Sequence, residues 1–294
     1  MNHMKKRLDI SVVGGDSRQV QLAKLLAGDG HRVFAYALEK ATLPEGIIRS
    51  SDILSLSKGS DCVILPLPIK SQKGLLNSPF SEEEYAINSV FSLFPTGQTV
   101  IAGKLDNDMF EVAGKCGIRL FDVLEREDFT VMNSVPTAEG AIAVAMQMQQ
   151  TTLNGSKCLV IGFGHIGKLL AAYLKGLGAH VTASARKSGD LAWISAYGYL
   201  PVKTSELKEA LSGYDIIFNT VPSLVLDEET LTSVKKDALI CDLASAPGGV
   251  DFNAAEKLSL RTVHALSLPG KVAPLTAAES LRKTVYNILN EWGK

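Results

Sequence analysis

One stretch limits what this chain can fold into more than any other. "KCLVIGFGHIGKLLAAYLKGLGAHVTASARKSGD", Lys157 to Asp190, places an apolar run, a glycine turn, a helix-spaced segment and a second apolar run in that order. That order is a βαβ unit, and repeated units of this kind build parallel sheets. The turn fits G-x-G-x-x-G at Gly162, Gly164 and Gly167. The first glycine makes the tight turn out of the strand. The second lets a pyrophosphate approach the backbone without a Cβ in the way, and the third lets helix and strand pack closely. Phe163, His165 and Ile166 fill the positions between them and complete the candidate phosphate loop. The helix that follows points unpaired N–H groups at a bound phosphate.

A dinucleotide site of this type usually has an Asp or Glu about 20 residues further on, accepting hydrogen bonds from the adenosine ribose. Here the second strand ends Ser184-Ala185-Arg186-Lys187, and Asp190 comes beyond the turn. Ser184, Arg186 and Lys187 are therefore candidates to hold a 2′-phosphate, which points to NADP rather than NAD. The alternative is a solvated basic loop tip. Asn219, Thr220, Val221 and Pro222 in "FNTVPS", and the glycines of "CDLASAPGG", follow later strands and should border the nicotinamide half.

A second, incomplete glycine turn lies near the start, in "LDISVVGGDSRQVQLAKLLAGDGHRVFAYAL". Leu8–Val13 reads as a buried strand, Arg18–Ala27 as a helix and Arg32–Ala37 as the next strand. Two readings of Gly14-Gly15-Asp16 stay open: a structural βα turn, or a turn whose Asp16, Ser17 and Arg18 help to hold a substrate. Further strands are expected near Cys62–Leu67, Thr99–Ala102, Arg119–Phe121, Ile216–Asn219, Ala238–Cys241 and Thr262–His264, with a helix over Asp106–Lys115. A helical turn is expected from Ser81, where "SEEE" supplies first-turn acids. "PTAEGAIAVAMQMQQTT" predicts a helix from Pro136 to Thr152 with Thr137 as its N-cap. The fold class is thus α/β, with two Rossmann-like doubly wound parallel-sheet domains and a cleft between them. The expected division is 1–136, a connecting helix over 137–151, and 152–275. A closing helix over 276–294 crosses back to complete the first domain.

The chain has 294 residues, 46% hydrophobic and 21% charged, with a net charge of −1. This balance gives no electrostatic reason to expect nucleic acid or an anionic membrane as partner. No apolar run reaches the roughly 18 residues of a membrane span. The basic start "MNHMKKRLDISVVGG" leads into a strand with no small-residue cleavage site, so no signal peptide and a cytoplasmic location are expected. Cys62, Cys116, Cys158 and Cys241 lack metal or redox spacing and read as reduced, mostly buried thiols. His3, His31, His165, His180 and His264 show no ligand spacing, so no metal site is expected.

Six motifs then occur in order: "VVGGDSRQ", "NSVPTAEG", "GFGHIG", "NTVPS", "DLASAPGGVDF" and "LPGKVAPLTAA". With this set the chain resembles the dipicolinate synthase A-subunit family of spore-forming bacteria, over essentially its whole length. The resemblance implies an NADP-dependent oxidation of 2,3-dihydrodipicolinate or its hydrated precursor to dipicolinate. That places it on a branch of lysine and diaminopimelate synthesis, in the mother cell of a sporulating bacterium. It also implies a flavoprotein-like partner, the B subunit, together with an architecture similar to D-2-hydroxyacid dehydrogenases and alanine dehydrogenase. The apolar closing helix is compatible with a homodimer.

The resemblance supplies no established acid or base, and none is assigned. Candidates to hold the substrate carboxylates are Arg126 in "LFDVLERED", Ser134 and Thr137 at the expected helix start, and Lys271 in a Gly/Pro-rich loop. For Arg126 a surface ion pair is the alternative. His165, inside the phosphate loop, reads as a cofactor neighbour rather than a proton shuttle. Two other function classes compete. One is a 2-hydroxy or 2-amino acid dehydrogenase, for which only His264 offers itself as a base. The other is a nucleotide-binding regulatory protein without turnover.

Overall fold

The computed structural model describes residues 6–245 and 247–292, so the basic N-terminal residues with His3, and Ala246 of the "ASAPGG" loop, lie outside it. The chain divides into two compact units, one running to Asn133 and resuming at Pro269, the other spanning Ser134–Leu268. Among the described residues no helix is long and apolar enough to cross a membrane.

The first unit holds strands β1 (Asp9–Val13), β2 (Arg32–Tyr36), β3 (Ile48–Arg49), β4 (Cys62–Ile64), β5 (Thr99–Ala102) and β6 (Arg119–Asp122). They form one parallel sheet in the order β3-β2-β1-β4-β5-β6. Alternate residues of β1 sort to opposite faces. Ile10 and Val12 pack with Leu22 and Leu26 of helix Ser17–Gly28 and with Leu281, Val285 and Ile288 of the closing helix Pro274–Glu291. Val13, with Val63 and Leu65, packs against Leu56, Val90 and Phe91. Both faces are covered, which is why these strands read as apolar runs rather than alternating ones.

The second unit repeats the plan with β7 (Lys157–Ile161), β8 (His180–Ala185), β9 (Leu200–Lys203), β10 (Ile216–Asn219), β11 (Leu239–Asp242) and β12 (Arg261–His264). The order β12-β11-β10-β7-β8-β9, all parallel, is the same topology read from the other edge. It is the doubly wound order of dinucleotide-binding domains. Cys158 and Val160 face Leu170, Ala171 and Leu174 of helix His165–Gly176, while Leu159 and Ile161 face Leu207, Leu211 and Leu231. Cys62, Cys158 and Cys241 are buried. Burial pushes the Cys158 and Cys241 thiols up to about 12, so neither is a thiolate at neutral pH.

Three local expectations are corrected. The helix expected from Pro136 is the later part of one running Glu127–Met148, with Pro136 inside it. A proline there removes one backbone hydrogen bond. Burial of Ala138, Ala141, Ile142 and Ala145 along the same helix offsets that loss. The "SEEE" acids lie in a bend, and the helix forms only at Ile87–Ser92. Its apolar face, Ile87, Val90 and Phe91, decides the position where first-turn acids alone do not. Lys271 is in a short helix, Leu268–Val272, rather than a loop.

Candidate functional site

Strands β7 and β10 are neighbours, with Ile161 opposite Asn219 at their carboxyl ends. Chain order reverses across this pair, and ligands of open parallel sheets bind in the crevice outside such a point. The glycine loop lies there. Gly162 has φ +95°, and a Cβ on it would come within 2.5 Å of Thr220 Oγ1 and 2.8 Å of Val221 Cγ2. A Cβ on Gly167 would overlap the Gly162 carbonyl oxygen, so helix and turn touch as the third glycine requires. Around Gly164, the helix N-cap, nothing lies within 4 Å of where a Cβ would be, and no side chain caps the helix. Bare backbone with outward N–H groups at a helix start fits a pyrophosphate. His165 opens the helix and is exposed, and Ile166 is half-buried against the core. Phe163 is buried, its ring 6.2 Å from Tyr197 and 6.3 Å from Tyr199, so it lends the loop only its backbone.

At the tip of β8 the sequence candidates separate. Arg186 and Lys187 are both exposed, and neither side chain has a hydrogen-bond or ion-pair partner among the described residues. Ser184 is corrected: it is fully buried in the strand between Ile161 of β7 and Val202 of β9, and its Oγ has no partner. A hydroxyl sealed inside the sheet cannot meet a ribose phosphate.

The side chains of Asn219 and Thr220 are also turned inward, which corrects the expectation that they border the nicotinamide half. Asn219 is fully buried; its Nδ2 donates to Val221 O (3.0 Å) and Asp242 Oδ1 (2.8 Å), and its Oδ1 accepts from Val221 N (3.1 Å). The Thr220 hydroxyl donates to Ile161 O at 2.9 Å. These residues fix the shape of the loop, whose Pro222 and Ser223 are exposed. Gly249, expected to admit a ligand, instead admits Asn219, since a Cβ there would collide with the amide nitrogen and with Val221 O. Asp242 was not singled out in the sequence. Fully buried, it accepts from Asn219, from Ala244 N (3.1 Å) and from Gly249 N (3.1 Å). An Asp closing the apolar run "LIC" was its only sequence signal. His264 rests with Nε2 3.2 Å from Ala244 O and its ring 5.1 Å from that of Phe252.

In the first unit the incomplete glycine turn follows β1, beside β4 at the corresponding reversal of strand order. Asp16 caps helix Ser17–Gly28 by accepting from Arg18 N (2.9 Å). Buried Arg18 returns to the same carboxylate through Nε (3.0 Å) and Nη2 (2.9 Å), and Nη2 also donates to Leu67 O. Gln19 is fully buried, its amide oxygen accepting from Leu67 N at 3.2 Å. Gly270, next to Lys271, packs so closely on Asp16 that a Cβ would overlap the carboxylate. Lys271 itself is exposed. Arg126 donates through Nη1 and Nη2 to Glu291, both at 2.8 Å, and through Nε to Asp128 at 3.1 Å. Two carboxylates already hold it, which raises its pKa, chiefly through Glu291. Ser134 and Thr137 are buried in mid-helix. Their backbone N–H groups belong to the helix ladder, so the helix-terminus argument for an anion there falls away.

Two family models match this chain: the N-terminal domain of the dipicolinate synthase A-subunit over residues 9–124, and the NAD-binding domain of D-isomer specific 2-hydroxyacid dehydrogenases over 121–254. The dipicolinate synthase A-subunit of Bacillus subtilis (strain 168) is 34% identical over 97% of the chain and 96% of its own length. The crystal structure of the Bacillus subtilis A-subunit superposes with a TM-score of 0.86 at 33% identity, covering 99% of this chain and 98% of that one. The dipicolinate synthase A-subunit structure from Bacillus halodurans also gives 0.86, at 29% identity, covering 97% and 99%.

Proposed function

This chain belongs to the dipicolinate synthase A-subunit family, and from that premise we propose that it oxidises dihydrodipicolinate to dipicolinate with NADP+ as acceptor. The observation that carries the cofactor half is the tip of β8. Two exposed cations without partners among the described residues, Arg186 and Lys187, stand where an NAD-selective domain places a carboxylate. A guanidinium matches phosphate in geometry, and an ammonium adds charge. The open backbone at Gly164 receives the pyrophosphate at the start of helix His165–Gly176. When bound, NADP+ supplies a hydride acceptor. The chain's own contribution is to hold donor and acceptor carbons in contact. The dihydropyridine ring loses one hydride and one proton and becomes aromatic, which supplies driving force without a strong base. A flavoprotein-like B subunit is the partner in this reading, and the setting is the mother-cell cytoplasm of a sporulating bacterium.

Calorimetric titration with NADP+ and NAD+ tests the cofactor, and NADP+ should bind the tighter. Incubation with NADP+ and dihydrodipicolinate, with and without a B subunit, should give the ultraviolet absorbance of a pyridine dicarboxylate. Tighter NAD+ binding overturns the cofactor reading. No product with or without the partner overturns the reaction.

A further inference from the structure

We infer that the Gly14–Arg18 turn of the first unit is the seat of a substrate carboxylate, with Arg18 and Ser17 as its ligands. The inference rests on the dicarboxylate substrate proposed above and gives that substrate an address.

The turn has donors left over. Two of the three guanidinium nitrogens of Arg18 are engaged, Nε and Nη2 with Asp16 and Nη2 also with Leu67 O. The third, Nη1, forms no hydrogen bond among the described residues, although the side chain is only 6% exposed. Nη1 is not sealed from solvent, so it reaches the surface of the turn. Ser17 opens a helix of 12 residues; its N–H, the N–H of Asp16 and the Ser17 hydroxyl have no acceptor among the described residues. By contrast Gly14 N and Gly15 N are engaged, with Tyr36 O and Asn77 O, both at 2.8 Å.

Because Nη1 reaches the surface of the turn, water meets it in the free protein, and an incoming anion can take that water's place with a charge-assisted hydrogen bond. Asp16 is the acid of this turn, and Arg18 already neutralises it at 2.9 Å. The free donors of the helix start therefore face an incoming anion without a competing charge. Lys271, next to the Gly270 that packs on Asp16, adds a second cation near the same turn. A planar carboxylate matches this set, taking Arg18 Nη1 on one oxygen and backbone N–H with the Ser17 hydroxyl on the other.

The test is calorimetry with pyridine-2,6-dicarboxylate on the full chain at saturating NADP+, comparing the unsubstituted protein with Ser17→Ala and Arg18→Lys. Ser17→Ala touches no existing contact and should fold normally while binding the dicarboxylate about five-fold more weakly. Arg18→Lys should weaken it about thirty-fold. A thermal melt should show both variants folded, and NADP+ affinity, read at the other unit, should stay within two-fold in both. Unchanged dicarboxylate affinity in both variants overturns the inference and leaves the proposed reaction standing. If the unsubstituted chain does not bind the dicarboxylate, the substrate reading fails and this assignment fails with it.

Discussion

Asn219 and Asp242 meet at 2.8 Å, carboxamide nitrogen to carboxylate oxygen, with both side chains fully excluded from solvent. They stand opposite each other at the carboxyl ends of adjacent strands β10 and β11. Through Val221, Ala244 and Gly249 the pair fixes both loops at the edge of the dinucleotide crevice. Replacing Asn219 with Ala leaves a buried carboxylate one donor short and two loops untied. A loss of about 3 kcal/mol in urea unfolding is expected, with weaker dinucleotide binding as the loop relaxes. Unchanged stability would mean the pair is idle.

Two of the loop glycines should separate by mechanism. Gly167→Ala places a Cβ on the Gly162 carbonyl and should cost several kcal/mol, about 3 or more, along with all nucleotide binding. Gly164→Ala meets no protein atom. It should lower stability by no more than about 1 kcal/mol, the difference between Gly and Ala at an N-cap, yet abolish binding. Thermal melts paired with NADP+ titration check both.

Arg186→Ala should weaken NADP+ about thirty-fold, the effect of one charge-assisted phosphate contact, and change NAD+ less than two-fold. Lys187→Ala should act in the same direction with a smaller effect. The measurement is a ratio of dissociation constants at fixed ionic strength, because exposed cations are screened by salt.

Arg126→Ala should be a stability variant only. Its carboxylate partners are half-exposed Glu291 and Asp128, so about 1 kcal/mol is expected after solvent screening. Affinity for the dicarboxylate should stay within two-fold. A larger loss of affinity would make Arg126 a substrate ligand after all.

Acid should loosen the first unit through His31. Its Nδ1 accepts from Leu8 N at 3.1 Å, and its Nε2 lies 3.0 Å from the Tyr286 hydroxyl, which donates to Asp29 at 2.6 Å. Burial lowers the His31 pKa from 6.5, with Asp29 opposing in part. The folded protein therefore binds fewer protons than the unfolded chain just below 6.5, and stability falls as pH drops through that value toward the folded pKa. Above it the neutral ring carries no penalty. Stability against pH should show this slope, and His31→Gln should flatten it.

The glycine turn between β7 and helix His165–Gly176 was legible because three glycines at fixed spacing, between an apolar run and a helical one, have few other physical uses. The missing acid was legible too, since a strand tip can be read residue by residue. Strand runs such as Ile216–Asn219 and Thr99–Ala102 emerged at their observed bounds, because strands buried on both faces carry one uninterrupted apolar signal. The helix around Pro136 was not legible, as local propensity places a proline at a helix start and only packing of the later alanines carries the helix through it.

By itself, then, the sequence determined two doubly wound parallel sheets, the place of the glycine turn between β7 and its helix, and the basic tip of β8. Which polar side chains face a ligand was decided only in three dimensions. Ser184, Asn219 and Thr220 sit on strand ends where one step in register or one turn of χ1 separates solvent from core. Neighbouring strands, Asp242 and the Ile161 carbonyl claimed them for the interior. Arg18 went the same way in part, folded onto Asp16 by contacts that no spacing rule encodes. Periodicity records how a segment alternates, whereas hydrogen-bond partners come from distant segments, and only folding brings those within reach.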